Sequence, residues 1–198
     1  GLFSLWRFSL GHQADPVHAE VIGIGRQESL IPLHNLAPEP LLVIPDPTPA
    51  RFSLAQFLAP EIRAGQVTVE ELPDRMVVSI QGDGLFESGS ERIKAAYQPV
   101  LDRISEGVKQ TTGRIRVIGH SDNIPVRRNG RFASNFELSQ ARAQSVVNLI
   151  NQQTGDTSRT VAEGLGDTRP LADNSSAEGR ARNRRVEVIV MQRLGGES

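Results

Sequence analysis

Apolar residues recur at helical or alternating spacing from about residue 53 onward, and far less regularly before it. The cleanest stripe is Ile93, Ala96, Tyr97, Val100, Leu101, Ile104 and Val108. These fall three and four apart and predict one helix over about residues 91–109, with Pro99 as a bend inside it. Leu54, Phe57, Leu58 and Ile62 predict an earlier helix over 53–64, kinked or restarted at Pro60 and stopped at Gly65. β-Branched residues in 66–71 and 76–80, on either side of Leu72-Pro73-Asp74-Arg75, predict a hairpin that Gly82-Asp83-Gly84 ends as a turn. Ile115 to Ile118 predict a strand over 114–120 that runs out into a loop. A helix from Asn135 to about Gln152 opens on Ser134-Asn135-Phe136-Glu137, which has the form of a capping box. Strands are predicted at 160–164 and over Val186 to Val190, with a polar loop around Asn174-Ser175-Ser176 between them. The order hairpin, helix, strand, helix, strand, strand implies a mixed sheet with helices on one face, an α+β sandwich.

The first fifty residues have a different character. Residues 1–10 are apolar and aromatic but too short to cross a bilayer, which takes about 20 apolar residues. Trp6 and Arg7 have the look of the interfacial end of a membrane helix whose body lies upstream; a short amphipathic segment packed on the domain is the alternative. Val17 to Ile24 allow a short helix. Six of the twelve prolines then fall in residues 32–49, which favours extended polyproline II, a semi-rigid spacer of about 3.1 Å per residue. The apolar run Leu41-Leu42-Val43-Ile44 equally allows an arm lying on the domain. The expected division is a membrane-helix end or flank over 1–10, a Pro-rich arm over 11–50 and a folded domain over 51–198.

Composition narrows the chemistry. With 38% hydrophobic and 23% charged residues, the 198-residue chain can build one ordinary core. A net charge of −1 gives no whole-chain reason to expect nucleic acid, and the basic run Arg180, Arg182, Arg184 and Arg185 has no interleaved aromatics for base stacking. That run is expected to be a solvated basic face or a rim that helps an anionic ligand approach. The absence of cysteine excludes a disulfide framework, a thiolate nucleophile and a Cys-ligated zinc site within these residues, and it disfavours a lipoprotein anchor. His12, His18, His34 and His120 show no metal-ligand spacing. No Gly-rich phosphate loop is present, so no cofactor is expected. His120, Ser121 and Asp122 are consecutive, and in a strand their side chains alternate between faces, which is no catalytic triad. His120 is expected to be a half-buried strand histidine with a satisfied hydrogen bond. The chain is expected not to be an enzyme.

The candidate chemistry lies at Asp122 and Arg142. Asp122 follows the strand end, and Arg142 shares a face with Leu138 near the start of the following helix. A carboxylate that accepts from an ammonium and a guanidinium that forks onto a carboxylate suit a zwitterionic ligand. The same two residues could equally form a surface ion pair that binds nothing.

Several separated motifs carry a family resemblance. They are Phe86-Glu87-Ser88-Gly89-Ser90, Gly119-His120-Ser121-Asp122, Asn135-x-x-Leu138-Ser139-x-x-Arg142-Ala143, Gly164-Leu165-Gly166-Asp167 with Pro170, and Gly179-Arg180-x-x-Asn183-Arg184-Arg185-Val186-Glu187. In this order, over roughly residues 66–192, the chain resembles the OmpA-like peptidoglycan-binding domain. The resemblance implies that fold and a non-catalytic site in which Asp122 and Arg142 grip the diaminopimelate of the stem peptide. It also implies a surrounding wall of Phe86, Asn135, Leu138 and the Asn183-Arg184-Arg185 turn. The insert 123–134 looks more like that of flagellar stator proteins than that of compact outer-membrane members. Leu10 to Val17 and Leu58 to Gly65 resemble the DotU/TssL family of the type VI secretion membrane complex. That likeness implies a periplasmic domain behind a single membrane helix, with peptidoglycan, other secretion-complex proteins and further copies of itself as partners. A stator or another envelope anchor is the first alternative, and a peptidoglycan-cleaving enzyme such as an amidase the second. Asp122→Ala and Arg142→Ala are expected to leave the melting curve nearly unchanged, as strand-end polar residues.

Overall fold

The computed structural model describes residues 51–192; the expectations for residues 1–50 lie outside the described residues. The elements are α1 (Leu54–Phe57), α2 (Ala59–Arg63), β1 (Thr68–Glu71), β2 (Arg75–Gln81), α3 (Gly82–Leu85), α4 (Gln98–Lys109), β3 (Ile115–His120), α5 (Asn135–Thr154), β4 (Thr160–Gly166), α6 (Ala177–Asn183) and β5 (Arg185–Met191). The five strands form one sheet in the order β1-β2-β5-β3-β4, antiparallel except for the β3–β4 pair. Among the described residues no helix is long and apolar enough to cross a membrane.

One face of the sheet is apolar in register across three strands. Met76, Val78 and Ile80 sit opposite Val190, Val188 and Val186, which in turn face Ile115, Val117 and Gly119. Val100, Leu101, Ile104 and Val108 of α4 and Ala143, Val146, Val147 and Ile150 of α5 cover this face, with Leu54 and Leu58 in the same core. The α+β sandwich expected from the sequence is the observed architecture.

Four local expectations change. The long helix begins at Gln98, not Glu91, because Pro99 occupies its first turn, where a missing N–H costs nothing; a 3-10 turn, Ala95–Tyr97, precedes it. Ile93 instead pairs with Phe86 as an isolated bridge that closes the 86–93 loop. Gly82-Asp83-Gly84 is a single helical turn rather than a simple reversal. The polar stretch before β5 holds α6, capped by the Ser176 hydroxyl, which accepts from the Gly179 N–H at 2.9 Å. The box at Ser134 forms in part. Ser134 Oγ accepts from the Glu137 N–H, but Glu137 reaches back to the Ala133 N–H, one residue before the cap.

α5 lies unusually close to the sheet, and two facing glycines allow it. Gly119 of β3 and Gly164 of β4 are partners in register. A Cβ on Gly119 would stand 2.1 Å from the Ser139 carbonyl oxygen, and one on Gly164 would stand 2.4 Å from the Gln140 nitrogen. Both obstacles are helix backbone, so relief requires moving the whole element. Gly119→Ala is therefore expected to cost about 2–4 kcal/mol and to lower the melting temperature by roughly 10 °C. A thermal melt indistinguishable from wild type would show that the helix is not pressed onto this pair.

Candidate functional site

The sheet topology brings three strand ends to one edge. β5 runs antiparallel to both β2 and β3, so Arg185 at its start faces Gln81 at the end of β2 and His120 at the end of β3. One or two residues beyond these ends lie Arg184, Asp83 and Asp122. Arg184 forks Nε and Nη2 onto the two oxygens of Asp83 at 2.7 and 2.8 Å, and its Nη1 donates to Asp122 Oδ2 at 2.6 Å. The Asp83 hydrogen bonds first, then those of Asp122, raise the Arg184 pKa against the opposing effect of burial. The Arg184 hydrogen bond in turn holds the Asp83 carboxyl below its usual range. The other oxygen of Asp122 accepts from the Ile124 N–H at 3.0 Å.

Arg142 approaches from α5. Its Nε donates to the Ser90 carbonyl at 2.9 Å and Nη2 to that of Glu87 at 3.2 Å, and its guanidinium carbon lies 4.9 Å from the Phe86 ring centroid. Asp122 and Arg142 are 7% and 8% exposed. They do not pair with each other, which removes the surface-ion-pair alternative. Burial pulls the Arg142 pKa down, while the fields of Asp83 and Asp122 favour its charge. The result is a desolvated cation gripped by carbonyls and a desolvated carboxylate, side by side.

Both line one cleft of about 640 Å³, together with Phe86, Asn135, Leu138 and Arg184. Asn135 pins the mouth, donating from Nδ2 to the carbonyls of Ile124 and Asp122 at 2.9 and 3.3 Å. The 123–134 insert forms part of the wall through Ile124, Pro125, Arg127, Arg131 and Phe132, and an Arg131–Glu91 ion pair ties it to the 86–94 loop.

The remaining expected wall residues, Asn183 and Arg185, are not in the cleft. Asn183 is fully buried; it accepts from the Leu171 and Ala172 N–H groups and donates to Ala172 O and Asn174 Oδ1, which fixes the loop before α6. Arg185 points to the face of the sheet away from the helices. There it bonds Glu187 Oε1 at 2.8 Å and the Arg169 carbonyl at 3.2 Å. The basic run is thus not a solvated face. Arg180 bonds the Asn174 carbonyl, Arg184 bridges two aspartates, Arg185 is buried, and Arg182 alone of the four is exposed.

His120 also departs from expectation. It is buried beside Glu187, with Nε2 3.4 Å from Oε1, and neither ring nitrogen has a well-aligned hydrogen-bond partner among the described residues. Ser121 Oγ donates to the Asp122 carbonyl, so His120, Ser121 and Asp122 do not converge as a relay. Asp83, Lys94 and the insert side chains also line the cleft, and no local motif marks them as site residues. For Asp83 the partner lies 101 residues away, and no local spacing could reveal it.

With this geometry in view, the likeness to known proteins becomes specific. A model of the OmpA family matches residues 85–184, the stretch that contains the cleft's central groups. The chain belongs to the OmpA family. This family is peptidoglycan-binding and non-catalytic. The OmpA domain is 50% identical to the cell wall anchor of the T6SS from Pseudomonas aeruginosa, with a TM-score of 0.69 over 73% of this chain and 100% of that one. The periplasmic domain of Helicobacter pylori MotB is 26% identical, with a TM-score of 0.59 over 65% of this chain and 83% of that one. Motility protein B of Bacillus subtilis is 33% identical over 67% of this chain, which spans about half (51%) of that protein's length.

Outside the cleft, the Glu187 carboxyl is lowered to about 2, by His120 first and by Arg185, against burial. A carboxylate depressed in the folded state contributes stability above its unfolded pKa, near 4.5, and loses it as pH falls through about 2. Glu187→Gln is therefore expected to destabilise by about 2–3 kcal/mol at pH 7, a deficit that closes between pH 5 and pH 2. Urea midpoints of both proteins across that range check it; a deficit independent of pH would contradict it.

Proposed function

We propose that this chain is a non-catalytic cell-wall anchor. Its cleft holds the diaminopimelate of the peptidoglycan stem peptide and fixes an inner-membrane type VI secretion complex from the periplasmic side. The observation that carries the reading is the juxtaposition of Asp122 and Arg142, both buried, unpaired with each other and lining one cleft. Diaminopimelate offers an ammonium and a carboxylate on one carbon. Asp122 retains free lone pairs for the ammonium, and Arg142 Nη1 has no partner among the described residues, so it is free for the carboxylate. Phe86 and Leu138 supply apolar walls, and Asn135 fixes the mouth.

The secretion machine, rather than a motor, is supported by 50% identity across the whole solved chain of the Pseudomonas anchor, against 26–33% for the MotB proteins. A flagellar-type stator is the second reading, supported by those same matches. A cytoplasmic helical domain ahead of residue 1 in the full-length protein would favour secretion. A short tail before an aspartate-bearing membrane helix would favour the stator.

Asp122→Ala and Arg142→Ala should each abolish retention on purified sacculi. Because both groups are buried and hydrogen-bonded, each should also cost about 1–3 kcal/mol, in place of the unchanged melt expected for strand-end surface residues. Circular dichroism at 25 °C should still report a folded domain. Wild-type retention by both variants would refute the site, and release of soluble muropeptides by the wild type would refute the non-catalytic reading.

A further inference from the structure

The charges lining the cleft do not balance. Both of its carboxylates, Asp83 and Asp122, are held by Arg184. Arg131 is paired with Glu91. Lys94, Arg127 and Arg142 line the same cleft and have no carboxylate within 4.0 Å among the described residues. Five cations against three carboxylates, Glu91 included, leave an excess of two positive charges. A zwitterion brings no net charge and leaves that excess where it was.

The space is also larger than one amino-acid head group requires. About 640 Å³ lies in the range that holds a ligand of several residues. The two unpaired cations other than Arg142 come from the two loops that wall the cleft. Lys94 closes the 86–94 loop, its Nζ tethered to the Asp83 carbonyl at 2.8 Å, and Arg127 stands in the insert after β3 with its side chain exposed. Neither charge is neutralised by a carboxylate among the described residues, and both raise the potential felt by an anion entering beside Asp122 and Arg142.

We infer that the cleft selects an acidic peptide: a zwitterionic head group at Asp122 and Arg142, followed by at least one further free carboxylate on a neighbouring residue, taken by Lys94 and Arg127. This rests on the reading that diaminopimelate occupies the centre. In a stem peptide the neighbouring residue is a γ-linked glutamate, whose α-carboxylate is either free or amidated. The domain therefore distinguishes walls by amidation state. A free carboxylate is gripped; a carboxamide leaves the two cations unsatisfied.

Calorimetric titration of the 198-residue chain with three ligands tests this. They are meso-diaminopimelate, L-alanyl-γ-D-glutamyl-meso-diaminopimelate, and the same tripeptide with the glutamyl α-carboxylate as carboxamide. The acidic tripeptide should bind about fivefold to tenfold more tightly than the amide at low salt, with the gap narrowing as salt is raised. Arg127→Gln and Lys94→Gln should each shrink that ratio about twofold. Equal affinity for acid and amide, or a ratio that both variants preserve, would overturn the inference while leaving diaminopimelate binding intact. Failure of all three ligands to bind would overturn the reading of the centre, and the selectivity with it.

Discussion

The site depends on one shared guanidinium. Arg184 joins Asp83 and Asp122, which follow the ends of two strands that do not touch each other, because β5 lies between them. Without a cation, two carboxylates at this edge would repel each other and draw in water. With it, all three groups are fixed and Asp122 is oriented into the cleft. The fork onto Asp83 uses two donors in one plane, so Arg184 cannot turn toward Asp122 with all its hydrogen bonds. Asp122 keeps acceptor capacity for something else. The antiparallel placement of β5 between β2 and β3 makes this joint possible, and so the sheet order is itself part of the site.

Arg142 solves the opposite problem by different means. A buried cation normally needs an anion, but here two loop carbonyls and an aromatic face hold it. These partners fix its direction without neutralising it. At its centre the cleft therefore sets a carboxylate already shared, Asp122, beside a cation still uncompensated, Arg142, an asymmetry that favours ligands whose carboxylate binds more firmly than their ammonium. Its place is set from below by Gly119 and Gly164, which let α5 sit against the sheet one turn before Arg142.

Much of this was legible in the chain, and the reasons differ by element. The apolar alternation in β2, β3 and β5 and the cap at Ser134 announced the sheet and the helix that carries Arg142. The stripe extends beyond the start of α4 because Ile93, from an isolated bridge, and Tyr97, from a 3-10 turn, still pack on the core. α6 went unseen because Ala-Glu-Gly-Arg-Ala-Arg-Asn has no apolar stripe; a serine cap and the buried Asn183 hold it instead. Asp122, Arg142, Phe86, Asn135 and Leu138 could be named because they sit in local motifs. The roles of Asn183 and Arg185 as braces, and of Asp83 as a partner of Arg184, arise from long-range contacts that spacing does not encode.

The glycine pair under α5 has a wider consequence. It locks the helix to the sheet by backbone contact, so Arg142 is carried by main chain pressed on the sheet, whereas Asp122 is tied through the Ile124 N–H to the segment that arches on to Ser134. Moving α5 off the sheet would therefore shift Arg142 relative to Asp122 without changing either side chain.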